Sequence, residues 1–417
     1  MKAKLLSASV AMALAMTATA ASAVDFHGYF RSGVGVSKDG GTTEWNKNYV
    51  GRLGNEADTY GEIQLGQELY NKGGASFYVD SMIAVSSDGS NDWEDTSSSD
   101  ADFALTQFNV QAKGLFSSNP GAVVWAGKRY YQRHDLHIVD YKYWNISGAG
   151  AGIENIQAGP GAFSLAWIRQ DTNNASGSEG ALNNNFLDIR YAGFKPWEGA
   201  WTEFGVSYAL KNATDAQDDA GTYDDMKDSL MATAEISQYF ASTGINEKFV
   251  VQFANNALAH NVIDQGGGWI DAWSGDNSSA KGWRFINNGE LPFDKFVLNY
   301  VLTYGHAEDY GDYIDKTDMF SLVGRAQYQW TDLMKTIFEA GTFTKDTDYT
   351  SGSSWKDAGQ KYTLAQAWSA GPGFWARPEL RVYATYLKDG GDGDNLSFNS
   401  SADDNTWNFG VQAEAWW

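Results

Sequence analysis

The stretch from Val24 to Val36, VDFHGYFRSGVGV, decides how the chain is read. Phe26, Phe30, Val34 and Val36 share one parity with Gly28 and Ser32, while His27, Tyr29, Arg31 and two glycines share the other. A period of two belongs to a strand, whose successive side chains point to opposite faces. One face here suits hydrocarbon and the other suits water. The pattern recurs at once, with Ile63, Leu65 and Leu69 opposing Tyr60, Glu62, Gln64 and Glu68. It recurs again where Phe77, Val79, Ile83 and Val85 oppose Tyr78, Asp80 and Met82. The chain also ends this way: Trp407, Phe409, Val411, Ala413, Ala415 and Trp417 face away from Asn408, Gln412, Glu414 and Trp416.

Between these ends, strands are predicted at Phe163–Ile168, Leu187–Phe194, Phe204–Leu210, Leu230–Ile236, Phe249–Ala254, Phe296–Tyr304, Phe320–Trp330, Thr336–Phe343, Tyr362–Trp368 and Leu380–Tyr386. No helical period competes over comparable length. The connectors alternate between short turns such as Asn71-Lys72-Gly73-Gly74 and long polar loops such as 37–48, 86–102, 171–185, 212–228 and 389–405. Short turns at one end and long loops at the other are the habit of a membrane barrel, and the spacing implies roughly sixteen to eighteen strands. The fold class is therefore all-β, a transmembrane antiparallel barrel in one domain over residues 24–417. An open edge in lipid would leave backbone groups unsatisfied, so the first and last strands must pair, bringing Trp416 beside Tyr29.

Composition agrees. Mean hydropathy is −0.43, yet 17 Trp, 22 Tyr, 22 Phe and 45 Gly against 6 Pro are unusual for a water-soluble chain. A polar lumen face and an apolar lipid face average to such a value. Residues 1–23 read as a cleaved secretory leader, with Lys2 and Lys4 ahead of an apolar segment and a small-residue Ala21-Ser22-Ala23 site. Losing those two lysines takes the net charge from −22 to −24, which makes nucleic acid a poor partner. No cysteine staples the chain, and beyond the leader no run of about 18 apolar residues offers a spanning helix.

One stretch breaks the alternation. Trp125 to Gly152, WAGKRYYQRHDLHIVDYKYWNISGAGAG, packs Lys128, Arg129, Arg133, His134, Asp135, His137, Asp140 and Lys142 among five aromatic residues. Flanked by strands, it reads as a loop folded into the lumen. His134, Asp135, His137 and Asp140 offer a two-histidine carboxylate metal set, but Arg129, Arg133 and Lys142 would repel a cation, so no metal is assigned. The run Asp389-Gly-Gly-Asp392-Gly-Asp394-Asn395 offers oxygens of the kind calcium takes, though a solvated loop has the same composition. No acidic pair sits in a buried setting that marks a glycoside hydrolase, so neither catalysis nor a cofactor is expected. Inward rings beside inward charges have another use, since the C–H faces of sugars stack on rings while their hydroxyls bond to charged groups. Three readings remain: a sugar-specific channel, a general diffusion porin, and a secreted carbohydrate-active enzyme.

The motifs VDFHGYFRSG from Val24, RLGNEADTYGEIQLGQE from Arg52, NDWE from Asn91, the Trp125 stretch, KFVVQF from Lys248, LAQAW from Leu364, FWARPELRVYATY from Phe374 and the terminal WNFGVQAEAWW together resemble the maltoporin (LamB-type) family of sugar-specific porins. The resemblance implies an 18-stranded antiparallel barrel with an inward constriction loop. It also implies a homotrimer in the outer membrane of a Gram-negative bacterium, in contact with its lipid and passing maltose and maltodextrins. Matched motif by motif, an aromatic slide would comprise Tyr29, Tyr60, Trp375 and Trp416, with Trp93 reaching in from a neighbouring subunit. A polar track would comprise Arg31, Arg52, Glu62, Arg133, Asp135 and Asp140, with His137 at the constriction. The family's further phenylalanine is unmatched; Ile245 or Phe240 replaces it, or the slide is one ring short. Lys142 stands where the family has a tyrosine, Asn145 where it has an aspartate, and Thr106 where it has an arginine. The first two imply altered sugar preference and reduced cation selectivity.

Overall fold

In hydrocarbon every backbone N–H and C=O needs a partner inside the protein, and a sheet satisfies this only by closing on itself. The computed structural model describes residues 24–41, 43–97, 100–172, 180–270, 277–392 and 403–417. Among them 18 strands form one sheet. Each pairs antiparallel with the next, and the first strand, Asp25–Ser37, pairs antiparallel with the last, Asn405–Trp416. That seam sets Tyr29 opposite Trp416 and Arg31 opposite Glu414. The expected meeting of rings is therefore a register position. The proposed leader lies outside the described residues, as do residues 393–395 of the acidic run considered for calcium.

The two faces separate as the alternation predicts. Val34, Ile63, Val251, Leu364 and Phe409 stand exposed on the outer wall, whereas their neighbours of opposite parity Gln252, Thr363 and Gln412 are buried. Turns at one end are tight, as at Gly73-Gly74, Gly159-Pro160 and Asp294-Lys295. The described parts of the long connections, 43–58, 130–147 and 256–270, all begin or end at the other end of their strands.

Three barrel strands lacked a clean period. Ala101–Lys113 carries a bulge opposite Met82 and Ile83 that leaves Thr106 as the extra residue, so its apolar set switches from Phe103 and Leu105 to Phe108 and Val110. Lys281–Phe293 loses its contrast of apolar and polar faces at Asn287, Asn288 and Gly289. Gly148–Ala158, GAGAGIENIQA, has almost no side chains to alternate. Its glycines are required by close packing: a Cβ on Gly152 would lie 2.7 Å from the Trp125 indole nitrogen, and one on Gly150 would lie 2.2 Å from the Trp167 carbonyl.

Placing a charge on the outer wall tests this assignment. Val251→Arg should destabilise the barrel by about 2–4 kcal/mol in refolding titrations into lipid vesicles, since guanidinium is costly at mid-bilayer depth. An unchanged midpoint would contradict a lipid-facing Val251.

Candidate functional site

The polar and aromatic stretch after Trp125 folds inward, as expected. Strands His134–Leu136 and Tyr141–Trp144 form a small hairpin around a 3-10 turn, His137–Val139. Leu136, Ile138, Val139, Tyr141, Tyr143, Trp144 and Ile146 are all buried, packed in one core with Met231, Val250, Ile286 and Val301 of the wall. Polar groups fix the hairpin in place. The Arg190 guanidinium stacks 3.7 Å from the Trp144 ring centroid and donates to the Gln132 carbonyl at 2.7 Å, while pairing with Asp188 at 2.8 Å. Arg284 and Gln252 donate to the Tyr143 carbonyl at 3.2 and 2.9 Å.

The hairpin does not narrow the lumen alone. Loop 38–58, expected to be an outside polar loop over much of its length, turns inward through the helical turn Lys47–Val50 and buries Val50 and Leu53. The Arg52 N–H donates to the Ile138 carbonyl at 3.0 Å, and the Asn48 amide donates to the carbonyls of Val139 and Asp140 at 3.1 and 2.8 Å. Residues 256–270 close the third side: the Gly267 carbonyl accepts from the Asn145 N–H at 2.7 Å and the Ile263 carbonyl accepts from the Tyr49 hydroxyl at 3.1 Å.

Between these loops and the closing seam lies a cavity of about 380 Å³. Twelve of the thirteen residues carried over from the resemblance line it: the rings of Tyr29, Tyr60, Trp375 and Trp416, and Arg31, Arg52, Glu62, Arg133, Asp135, His137, Asp140 and Lys142. The rings form a row. Tyr60 and Tyr29 have centroids 6.1 Å apart, Tyr29 and Trp416 are register partners across the seam, and Trp416 and Trp375 are 6.2 Å apart. Charged groups fix their edges. Tyr29 receives an Arg52 hydrogen bond at 2.7 Å and donates to Glu414 at 3.1 Å, Tyr60 donates to Glu62 at 2.7 Å, and the Trp375 indole donates to Glu290 at 3.0 Å. The thirteenth residue, Trp93, is 81% exposed on loop 88–100 and does not reach the cavity of its own chain.

Behind the rings sits an ionic lattice, of which the motif match named Arg31 and Arg52 but not their partners Asp58, Glu56 and Glu414. Arg31 binds Asp58 through two hydrogen bonds of 2.9 and 2.7 Å, and Arg52 pairs with Glu56 at 2.9 Å and Glu414 at 3.3 Å. Arg377 pairs with Glu414 at 2.7 Å while its guanidinium lies 4.3 Å from the Trp416 ring centroid. Glu414 could have been found from sequence, since it shares the inward parity of Trp416.

The histidines separate. His137 lies among rings, 5.3 Å from Trp375 and 5.7 Å from Trp416 between centroids. Burial first, and then the Arg52 guanidinium, push its imidazole well below the ordinary value, so it is neutral. Arg52 lies 3.5 Å from Nδ1 as donor, which assigns the proton to Nε2, a buried atom without a hydrogen-bond partner among the described residues. His134 turns the other way, with Nδ1 3.2 Å from Glu235 and Nε2 3.5 Å from Glu203. The four residues weighed as a metal set do not converge. Near His134, Lys248 at 3.2 Å from Glu235 and Arg190 at 3.7 Å from Glu203 already balance the two carboxylates.

Lys142 faces the cavity, but its ammonium is paired with Asp140 at 2.9 Å. Asp140 occupies the left-handed region at φ 47°, which aspartate tolerates. Burial works against its ionisation, yet Lys142 and Arg52 hold its carboxyl well below the usual range. Asn145 is turned away, its side chain accepting from the Ser147 hydroxyl at 2.6 Å. Thr106 donates to the Met82 carbonyl at 3.1 Å. Phe240 and Ile245 are register partners on the outer parity of Phe249, so neither supplies the missing inward ring by position; Tyr239, opposite Asn246, has the inward parity.

A closed antiparallel barrel with an apolar exterior, narrowed by inward loops over a lumen of rings and charges, has the architecture of a porin, a passive channel of the Gram-negative outer membrane. The chain belongs to the LamB porin family, whose model matches residues 24–417. It is similar to Maltoporin 1 of Aeromonas salmonicida (61% identical over the whole of both chains) and to Maltoporin 1 of Klebsiella pneumoniae (54%, 98% of each). Maltoporin 2 of Yersinia pestis is 53% identical over the whole of both. Among solved structures, the outer membrane protein opdK of Pseudomonas aeruginosa shares the fold at 11% identity, with a TM-score of 0.51, covering 95% of this chain and 99% of that one.

Burial opposes protonation of His134, but its bonds to Glu203 and Glu235 lift its imidazole above the ordinary 6.5. Because the folded value is raised, the imidazolium's hold on the hairpin is complete below pH 6.5 and is lost as the pH climbs through the raised value. Hydrogen exchange, corrected for its intrinsic pH dependence, should therefore show hairpin amides 134–144 losing protection on going alkaline. His134→Gln should remove that transition; a transition that persists in the variant would assign it to another group.

Proposed function

We propose that the chain is a sugar-specific channel through which maltose and maltodextrins diffuse down their gradient. The observation that carries this reading is the row Tyr60, Tyr29, Trp416, Trp375 flanked by paired charges in one constricted cavity. A glucosyl ring presents C–H faces to such rings while its hydroxyls exchange bonds with the neighbouring guanidinium and carboxylate groups. Each site is weak, and repetition lets a sugar move from one to the next without being trapped. A diffusion porin needs the charges but not the row. The relatives named maltoporin lend support to maltodextrin as the sugar class.

The same reading makes the assembly a homotrimer. Trp93 supports it: a tryptophan 81% exposed and remote from its own cavity acquires a role if it overhangs the mouth of a neighbouring barrel. Lys142 sets this channel apart. By neutralising Asp140 it weakens the attraction of the constriction for cations.

Maltohexaose added to reconstituted single channels should give saturable current block. Trp416→Ala should raise the half-blocking concentration about two- to tenfold, the worth of one ring contact. Absence of block in the unmodified protein would leave only an open pore. Lys142→Tyr should raise cation selectivity in reversal-potential measurements and change sugar block; unchanged values of both would contradict the role given to Lys142.

A further inference from the structure

A second cavity, of about 710 Å³, opens on the other side of the constriction hairpin. Pro160, Gly161, Ala192, Gly193 and Trp201 in its wall lie at the tight-turn ends of their strands, so it occupies the periplasmic mouth of the lumen. Trp201 is the second residue of its strand, Ala200–Asn212, on the parity of Glu203 and Ser207. Both of those touch the hairpin, Glu203 at His134 and Ser207 by accepting from the Trp144 indole at 3.2 Å. Trp201 therefore faces the lumen.

Its environment differs from that of four other inward tryptophans. Trp125 and Trp144 are buried in the core, and Trp375 and Trp416 belong to the ring row. The half-buried Trp201 has no ring neighbour and no hydrogen-bond partner for its indole N–H among the described residues. Asp135, which makes no ion pair among those residues, Arg133 and Lys248 stand around the same space, with the amide side chains of Asn155 and Gln157. Donors and acceptors of both signs around one open ring suit a neutral polyhydroxylated ligand better than an anion or a cation. Arg133 and Asp135 line both this cavity and the one holding the ring row. The two spaces meet at the edge of the hairpin.

We infer that the Trp201 cavity is a second oligosaccharide subsite, where a pyranose stacks on the Trp201 indole at the periplasmic mouth and passes to or from the row of rings by way of Arg133 and Asp135. The inference rests on the sugar-channel reading above, and its test separates the two. Maltohexaose is added to one side at a time of single channels of the full-length protein. Trp201→Ala should lower the association rate from the periplasmic side about two- to tenfold and leave the rate from the loop side unchanged, while Trp201→Phe should restore most of the loss. If Trp201→Ala does not insert, Trp201→Met, which keeps the bulk without a ring, reads the same rates. Equal rates in variant and unmodified channels would overturn the subsite with the sugar channel intact, and an equal fall from both sides would assign Trp201 to the ring row or the hairpin instead. Failure of the unmodified channel to be blocked from either side would overturn the sugar-channel reading itself.

Discussion

The pairing of the first strand with the last is the constraint on which the rest of the molecule depends. Lipid tolerates no unpaired backbone, so the chain must close, and a one-residue slip of that closure is forbidden because it would turn Tyr29, Arg31 and Trp416 toward hydrocarbon. The register adopted keeps that parity and sets Tyr29 opposite Trp416 and Arg31 opposite Glu414. Barrel closure and assembly of the ring row are thus one event. The channel's central feature is built where the two ends of the chain meet.

A row of rings over an open lumen needs support, and here the support is ionic. Arg52, Glu56, Glu414, Arg377, Glu379, Arg381 and Lys335 interlock beneath the rings, all of the pairs among them lying below a tenth of side-chain exposure. Buried pairs of this kind add little over apolar packing, but removing one partner strands the other, at about 3–5 kcal/mol. Their consequence is therefore geometric definition. Tyr29 is held between Arg52 and Glu414, and the Trp416 ring rests against Arg377. The charges left to offer hydrogen bonds to a neutral sugar are those lining the cavity, Arg31, Glu62, Arg133 and Asp135.

Much of this was legible in the sequence, and the parts that were not have identifiable causes. Parity gave the lipid face, the closing seam and the inward setting of Tyr29 and Trp416. It failed in Ala101–Lys113, where the extra residue Thr106 inverts the pattern halfway, and in Gly148–Ala158, where Trp125 occupies the space that side chains would fill. Residues 37–48 read as a solvated loop because Trp45 is the one large apolar residue there; nothing local announces that it packs with Val50 against Phe343 and Leu387 of the wall. Twelve of the thirteen residues proposed by motif line one cavity, but the motifs could not show that Lys142 is already paired, or that Asn145 faces another loop. It was also silent about Trp201, which belongs to no matched motif.

The most direct test of the account is a crystal structure of the full-length protein with maltotriose. The account predicts glucosyl rings stacked along Tyr60, Tyr29, Trp416 and Trp375, with their hydroxyls on Arg31, Glu62, Arg133 or Asp135. A sugar bound elsewhere with the ring row bare, or a lumen that takes up none at saturating concentration, would contradict it.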